Sequence, residues 1–273
     1  MRFLFVGDVV GRSGRAALLA HLPALRTRWK LDFVVVNGEN AAGGFGITES
    51  ICDEFLAAGA DAVTLGNHAF DQREALAFIE RQPRLIRPAN FPPGAPGRGS
   101  ALLPAANGAR VNVVNMMGRV FMDSLDDPFR AIDVELADCP LGKGCDVAFV
   151  DFHAEATSEK QAFGHYVDGR VSLCAGTHTH TPSADARILG GGTGYITEVG
   201  MTGDYDTVIG MDKAEPLHRF MRKIPGGRFE PGSGEATLCG VAAEIGNDGS
   251  AKKIAPVRIG PWLEPASPAF WQA

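Results

Sequence analysis

The chain lacks any apolar run approaching the roughly 20 residues that a membrane-spanning helix needs. Its apolar start, residues 1–6, is cut short by Gly7 and Asp8 before it reaches the length of a signal-peptide core. An excess of positive charge is also missing: 26 Lys and Arg stand against 32 Asp and Glu, a formal net charge of −6. That balance argues against a protein that coats nucleic acid in bulk and against one that binds anionic membranes. Cysteines are few and unpaired in spacing. Cys52, Cys139, Cys145, Cys174 and Cys239 are odd in number and form no Cys-x-x-Cys pair, which excludes a disulfide framework and a zinc ribbon. They read as free thiols of a reducing compartment, so a cytoplasmic protein is expected. No internal repeat and no low-complexity segment occurs, and 21% charged residues with 8% aromatics exclude wholesale disorder.

What is present is a chain of 273 residues, 45% of them hydrophobic, able to bury about three quarters of its unfolded surface. A single domain over residues 1–273 is expected. Short apolar, β-branched runs recur at residues 3–6, 33–36, 63–65, 111–114, 147–150 and 173–175. Being apolar throughout, they predict strands covered on both faces. Leu18, Leu22, Leu25 and Trp29 share one helical stripe, with Pro23 expected to split or kink that helix. Thr48 is placed to cap a helix over residues 51–58 that Gly59 stops, and Asp71 with Glu74 marks a further helix start. The proline-rich segment 87–100 is expected to be irregular and exposed. Asn247-Asp248-Gly249, flanked by runs 237–244 and 253–259, predicts a β-hairpin, and the last dozen residues a tail on the surface.

The polar residues that close each strand carry the most information. Gly7-Asp8 ends the first, Asn37-Gly38-Glu39-Asn40 the second, and Gly66-Asn67-His68 the third. Asp151-Phe152-His153 and Gly176-Thr177-His178-Thr179-His180 end two later ones. Ligands in open α/β sheets bind beyond the carboxyl ends of the strands, so these corners are expected to converge on one crevice. Clustered carboxylates and imidazoles repel or need protons unless a cation lies among them. Eight oxygen and nitrogen donors exceed what one tetrahedral zinc uses, whereas two ions sharing a carboxylate account for nearly all. A thiolate-free donor set suits iron or manganese, with zinc possible. Taken singly, each residue has an ordinary alternative. Asp8 reads equally as a helix cap, Glu39 and Asn40 as turn residues, Asn67-His68 as a cap and His153 as a hydrogen-bonded core histidine. His178 and His180, expected on one side of an extended segment, are harder to explain without a metal. His21, His165 and His218 follow no strand corner and read as structural or surface residues. Gly7 to Ser13 and Gly190 to Gly194 look like phosphate loops but lack the required lysine.

These blocks resemble the calcineurin-like metallophosphoesterases: an Asp ending the first strand, Gly66-Asn67-His68, and Gly176-Thr177-His178-Thr179-His180 for the late Gly-His-x-His. Two departures stand out. Val10 occupies the position of a usual second ligand, and Gly38-Glu39-Asn40 stands where Gly-Asp is usual. Both are similar to the YmdB-type branch, as are Gly-Asp-Val-Val-Gly, Asn-Gly-Glu-Asn and Gly-Asn-His-Ala-Phe-Asp. The resemblance implies a four-layer αββα sandwich of the metallo-dependent phosphatase type and a di-iron or di-manganese centre. It also implies hydrolysis of cyclic nucleotides, notably 2′,3′-cyclic AMP, and a homo-oligomer. It places one metal on Asp8, Glu39, Asn40 and His180 and the other on Glu39, Asn67, His153 and His178, with Asn40 standing in for the missing histidine.

Two such ions can hold a bridging hydroxide that attacks phosphorus. His68, adjacent to a ligand without being one, is the expected general acid for the leaving alkoxide. A phosphomonoesterase or phosphoprotein phosphatase is the alternative within the enzyme class. A metal-loaded regulatory protein that binds a nucleotide with little turnover is the alternative outside it, motivated by Val10.

Overall fold

The computed structural model describes residues 1–271. Two six-stranded sheets lie face to face. The first contains β1 (Arg2–Val6), β2 (Phe33–Asn37), β3 (Ala62–Thr64) and β4 (Leu85–Ile86), all parallel, and it is extended by the antiparallel β11 (Leu238–Ile245) and β12 (Ala251–Ile259). The second is built on the parallel strands β6 (Arg110–Met117), β7 (Val147–His153), β8 (Leu173–Thr177) and β10 (Gly194–Ile196). β5 (Ser100–Pro104) and β9 (Arg187–Ile188) form its antiparallel edges. Helices α1 (Gly11–Trp29), α2 (Glu49–Ala57) and the short α3 (Ala75–Phe78) accompany the first sheet, and α4 (Pro128–Asp138) and α5 (Thr157–Tyr166) the second. The helix α6 (Ala214–Arg222) precedes β11.

The period of two along each strand assigns side chains to layers. Phe3 and Phe5 of β1 join Phe33, Val35 and Phe149 in a core between the sheets, while Leu4 and Val6 pack with Leu18, Leu22 and Phe55 of α1 and α2. On the far side, Val150 and Phe152 pack against Ile132 of α4 and Phe163 of α5. The result is the four-layer αββα sandwich that the resemblance implied, with strands apolar throughout because both faces are covered. Parallel register aligns the strand ends: Val6 pairs with Val36, Asn37 with Thr64, and Met117 and Thr177 both with His153.

Several expectations are corrected. Pro23 does not split α1, which runs unbroken past it. An interior proline costs about 3 kcal/mol, but the stripe it interrupts buries Leu18, Leu22, Leu25 and Trp29 on both sides of it, each worth roughly 1.5–3 kcal/mol. Asp71 starts no helix; α3 begins only at Ala75, because the Asp71 carboxylate is engaged by His68 Nδ1 at 2.7 Å. Segment 87–100 is irregular but not exposed throughout: Arg87, Pro88 and Asn90 are buried. Arg87 donates to the carbonyls of Pro88, Ala95, Pro96 and Gly97, so the loop is wrapped around its own guanidinium. β7 continues past Val150 to His153.

Other expectations stand. Thr48 Oγ1 accepts from Ile51 N at 3.3 Å at the start of α2, and β11 and β12 form the hairpin. The terminal segment docks through Trp271, whose ring lies 5.9 Å from that of Trp29; its last two residues are outside the described ones. The five cysteines are free. Among the described residues no helix is long and apolar enough to cross a membrane.

Phe149, fully buried with ring centroids 5.0 Å from Phe3 and 4.8 Å from Phe5, joins the two sheets. Phe149→Ala is expected to cost about 3–5 kcal/mol, seen as a lower urea midpoint with an unchanged slope. A midpoint within error of the parent would show that the inter-sheet core is not what holds the layers together.

Candidate metal centre

All five strand corners meet at one end of the sandwich. Asp8 follows β1 and is fully buried, Glu39 and Asn40 follow β2, and Asn67 and His68 follow β3. His153 is the last residue of β7, and His178 and His180 follow β8. Gly66 lets the sheets close here: a Cβ on it would run into the Glu39 carboxylate and the His153 ring. His178 and His180 do converge, but not along an extended segment. β8 stops at Thr177, and both histidines take left-handed backbone, φ 97° and 65°. Such backbone is costly for a side-chain-bearing residue and persists only where its surroundings hold it. Here Glu198 does so, accepting from Thr179 N (3.0 Å), Thr179 Oγ1 (2.7 Å) and Gly200 N (3.0 Å) and pairing with the buried Lys160 ammonium at 2.8 Å. Sequence reading missed both Glu198 and Lys160, which lie outside the strand-end blocks.

Each imidazole of the cluster gives one ring N–H outward. Thr177 Oγ1 donates to Asp151 Oδ1 (2.6 Å), so it accepts from His153 Nδ1 (2.9 Å). His180 Nδ1 donates to the Ile209 carbonyl (2.8 Å), and His178 Nε2 lies 3.2 Å from Glu155 Oε2. The remaining nitrogens turn inward, and with a cation in place of any proton among them they offer the lone pairs a metal requires. His153 Nε2 lies 3.0 Å from His178 Nδ1, 2.9 Å from Asn67 Oδ1 and 3.1 Å from Glu39 Oε1. Neighbouring ligands of an octahedral ion with bonds of about 2.1 Å are about 3 Å apart. Glu39, His153 and His178 form a group whose ligand atoms all lie within 4.8 Å of one another. On the other side of Glu39, Asp8 Oδ1 is buried without any hydrogen-bond partner, 3.9 Å from His180 Nε2. The Asn40 amide lies 3.2 Å from His180 Nε2 and donates to Glu39 Oε1 at 3.1 Å. An orphaned carboxylate oxygen beside inward-facing lone pairs fits a cation and little else.

The electrostatics agree. Burial pushes Asp8 up from the ordinary carboxylate range, against the pull of His180 and His153. Burial works the same way on Glu39, but the His153 imidazole outweighs it and holds Glu39 down to about 2. Burial would lower His153, yet the Glu39 carboxylate raises it to about 9. Burial and the neighbouring His153 push His178 down to about 3. Without a metal the carboxylates therefore draw a proton onto His153; a cation takes the place of that proton. Asp151, pushed up to about 7 by burial, accepts from Asn37 Nδ2 (2.9 Å), Thr64 Oγ1 (2.6 Å) and Thr177 Oγ1 (2.6 Å), tying β2, β3 and β8 to β7.

His68 stands beside this cluster. Its backbone N–H donates to Glu39 Oε2 (3.1 Å), its Nδ1 meets Asp71 Oδ2 at 2.7 Å, and its ring is edge-on to Phe45. Val10, at the position of a usual ligand, is buried as the residue before α1. Gly7 to Ser13 forms no phosphate loop, since α1 begins at Gly11 within it. A cavity of about 430 Å³ opens on the cluster and is lined by Glu39, Asn40, His68, His178 and His180 together with apolar residues of α6 and its flanks. His21, His165 and His218 take no part in it. One wall is Ile209, a β-branched residue at φ 46° whose strained backbone aims the carbonyl at His180. No strand-end signal marked this wall; the apolar Phe220 and Met221 within the charged α6 were the available one.

Residues 4–257 match the family described as YmdB-like protein. The chain is 48% identical over 259 residues to a 2′,3′-cyclic-nucleotide 2′-phosphodiesterase of Bacillus subtilis (strain 168), covering 95% of this chain and 96% of that one. It is similar to the crystal structure of a hypothetical protein from Thermus thermophilus, with TM-score 0.88, 43% identity and 95% and 99% of the two chains covered. The crystal structure of a novel phosphatase from Mycoplasma pneumoniae matches with TM-score 0.87 and 32% identity over 100% and 96%.

Thr177 connects the cluster to its support. Thr177→Val removes the acceptor of the His153 N–H while leaving Asp151 two donors, and is expected to weaken metal binding about 10–100-fold with the fold intact. Metal titration by calorimetry alongside circular dichroism measures this; parent-like affinity would mean that the hydroxyl does not set the imidazole.

Proposed function

Because the chain belongs to the YmdB-like family, within the metallophosphoesterases, we propose that it is a phosphodiesterase that opens small cyclic nucleotides such as 2′,3′-cyclic AMP at a binuclear metal centre. The observation that carries the reading is the set of three imidazoles, each tied outward at one nitrogen and turned with the other onto buried carboxylates. Asp8, Glu39, Asn40 and His180 would hold one ion and Glu39, Asn67, His153 and His178 the other, Glu39 serving both. Nitrogen and oxygen donors without thiolate favour iron, then manganese, with zinc less suited. Bound there, the ions supply Lewis acidity to a phosphoryl oxygen and water acidic enough to attack phosphorus near neutral pH.

The chain's own residues do the rest. His68 is the proton donor to the departing ribose oxygen, a poor leaving group as an alkoxide. Asp71 accepts the hydrogen bond of the His68 Nδ1–H, so that Nε2 is the atom left to serve the cavity. The hydrogen bond from His68 N to Glu39 Oε2 fixes the donor relative to the centre without making it a ligand. Asn67, one residue earlier, has its amide oxygen in the cluster, so ligand and acid share one turn.

Two measurements test this. Chelation is expected to abolish hydrolysis of 2′,3′-cyclic AMP, with iron(II) or manganese(II) restoring it; full activity after exhaustive removal of metal would sink the proposal. His68→Ala is expected to lower kcat on 2′,3′-cyclic AMP by about 10²- to 10⁴-fold at unchanged metal content. Its effect on bis-p-nitrophenyl phosphate, whose leaving group needs no proton, should be far smaller, and equal losses on both substrates would remove His68 from the acid role.

A further inference from the structure

The cavity beside the centre carries a wall that the phosphodiester chemistry does not use. α6 turns Pro216, Arg219 and Phe220, spaced i, i+3 and i+4, toward it, and its C-cap Lys223 joins them. Phe45 and Phe229 complete an aromatic lining. Arg219 stands over Phe229, its guanidinium carbon 4.0 Å from the ring centroid, with Nε on Glu215 (2.6 Å) and Nη2 on the Gly227 carbonyl (3.0 Å). Phe220 is the open surface. It is 72% exposed although it lines the cavity, so its ring is open to a ligand.

Resting on the phosphodiesterase reading above, we infer that this wall holds the nucleobase of the substrate by stacking on Phe220, and that it does not read the base edge. The same cavity contains Glu39, His178 and His180, so an ester whose phosphate lies at the centre extends its remaining bulk along this wall. A flat, weakly polar group is what such a surface accepts. Edge recognition of adenine or guanine needs side-chain amides, carboxylates, or free guanidinium or ammonium donors, and the Lys223 ammonium in this cavity stands over the Phe220 ring, 6.0 Å from its centroid. The amide and carboxylate in this cavity, Asn40 and Glu39, belong to the centre, and Arg219 is engaged by Glu215, Gly227 and Phe229. Away from the centre the lining is phenylalanine, valine, isoleucine, methionine and proline plus the two cations. Stacking without edge contacts tolerates every base and favours the larger ring.

The test compares the metal-loaded parent, Phe220→Ala and Phe220→Trp on three cyclic esters: 2′,3′-cyclic AMP, 2′,3′-cyclic GMP and glycerol 1,2-cyclic phosphate. The last keeps the five-membered diester and lacks a base. The parent should treat the two nucleotides within a few-fold of one another, and Phe220→Ala should raise KM for both by about 10-fold with kcat little changed. Phe220→Trp should restore KM, and glycerol cyclic phosphate should respond to neither substitution. Equal loss on all three esters, or no loss on the nucleotides, would overturn the stacking assignment while leaving the phosphodiesterase reading standing. Failure of the parent to open any of the three would overturn both. Phe121, 89% exposed at φ 61° and lining a separate pocket with Asn67 and His178, supplies the rival surface. A KM defect in Phe121→Ala instead of Phe220→Ala would place the base there and refute the inference.

Discussion

Three imidazole lone pairs and two buried carboxylates face one another across about 3–4 Å, and that concentration of electron density is the constraint on which the site depends. Asp8 and Glu39 are both fully buried, so bulk solvation relieves little of the repulsion. A proton on His153, favoured there by the Glu39 carboxylate, relieves part of it, but one proton cannot satisfy Asp8 Oδ1 as well. Positive charge of higher density is required, and the sandwich provides a rigid frame for it. Strand ends from two sheets cannot approach this closely without small residues, which is where Gly66 enters.

Two buried carboxylates outside the cluster keep the frame rigid. Asp151 gathers donors from three other strands, so the sheets are joined by hydrogen bonds at the end where the chemistry is proposed and by aromatic packing farther in. Glu198, paired with Lys160, holds the turn that carries two of the histidines in left-handed backbone. A buried ion pair of this kind contributes little net stability. Its effect is positional: the turn would relax toward ordinary backbone without it, and the inward nitrogens of His178 and His180 would separate.

Much of this is legible in the sequence for identifiable reasons. Strands covered on both faces write themselves as unbroken apolar runs, and in parallel register their ends coincide, so a polar residue after each run marks one place in space. Asp8, Glu39, Asn40, Asn67, His153, His178 and His180 are found that way, and the structure brings all seven together with His68 beside them. What fails is local. Pro23 obeys burial rather than its own preference, and Asp71 engages an imidazole instead of a helix terminus. The route by which His178 and His180 converge escapes the sequence because left-handed backbone leaves no mark on a non-glycine residue. Lys160 and Glu198 are invisible for another reason: long-range pairings between separate segments carry no periodicity, while the α6 wall left only its apolar Phe220 and Met221 among charges as a mark.

Ile209 belongs to both halves of the site. Its carbonyl holds the ring of His180 and its side chain forms part of the cavity lining, on a backbone already outside its comfortable range. Whatever occupies the cavity therefore leans on the same residue that steers an imidazole. Changes to this loop that remodel the cavity would also tilt His180, so selectivity and cation affinity are geared together and cannot drift apart freely during divergence. Relatives that accept bulkier cargo should carry compensating changes around His180 as well as along α6.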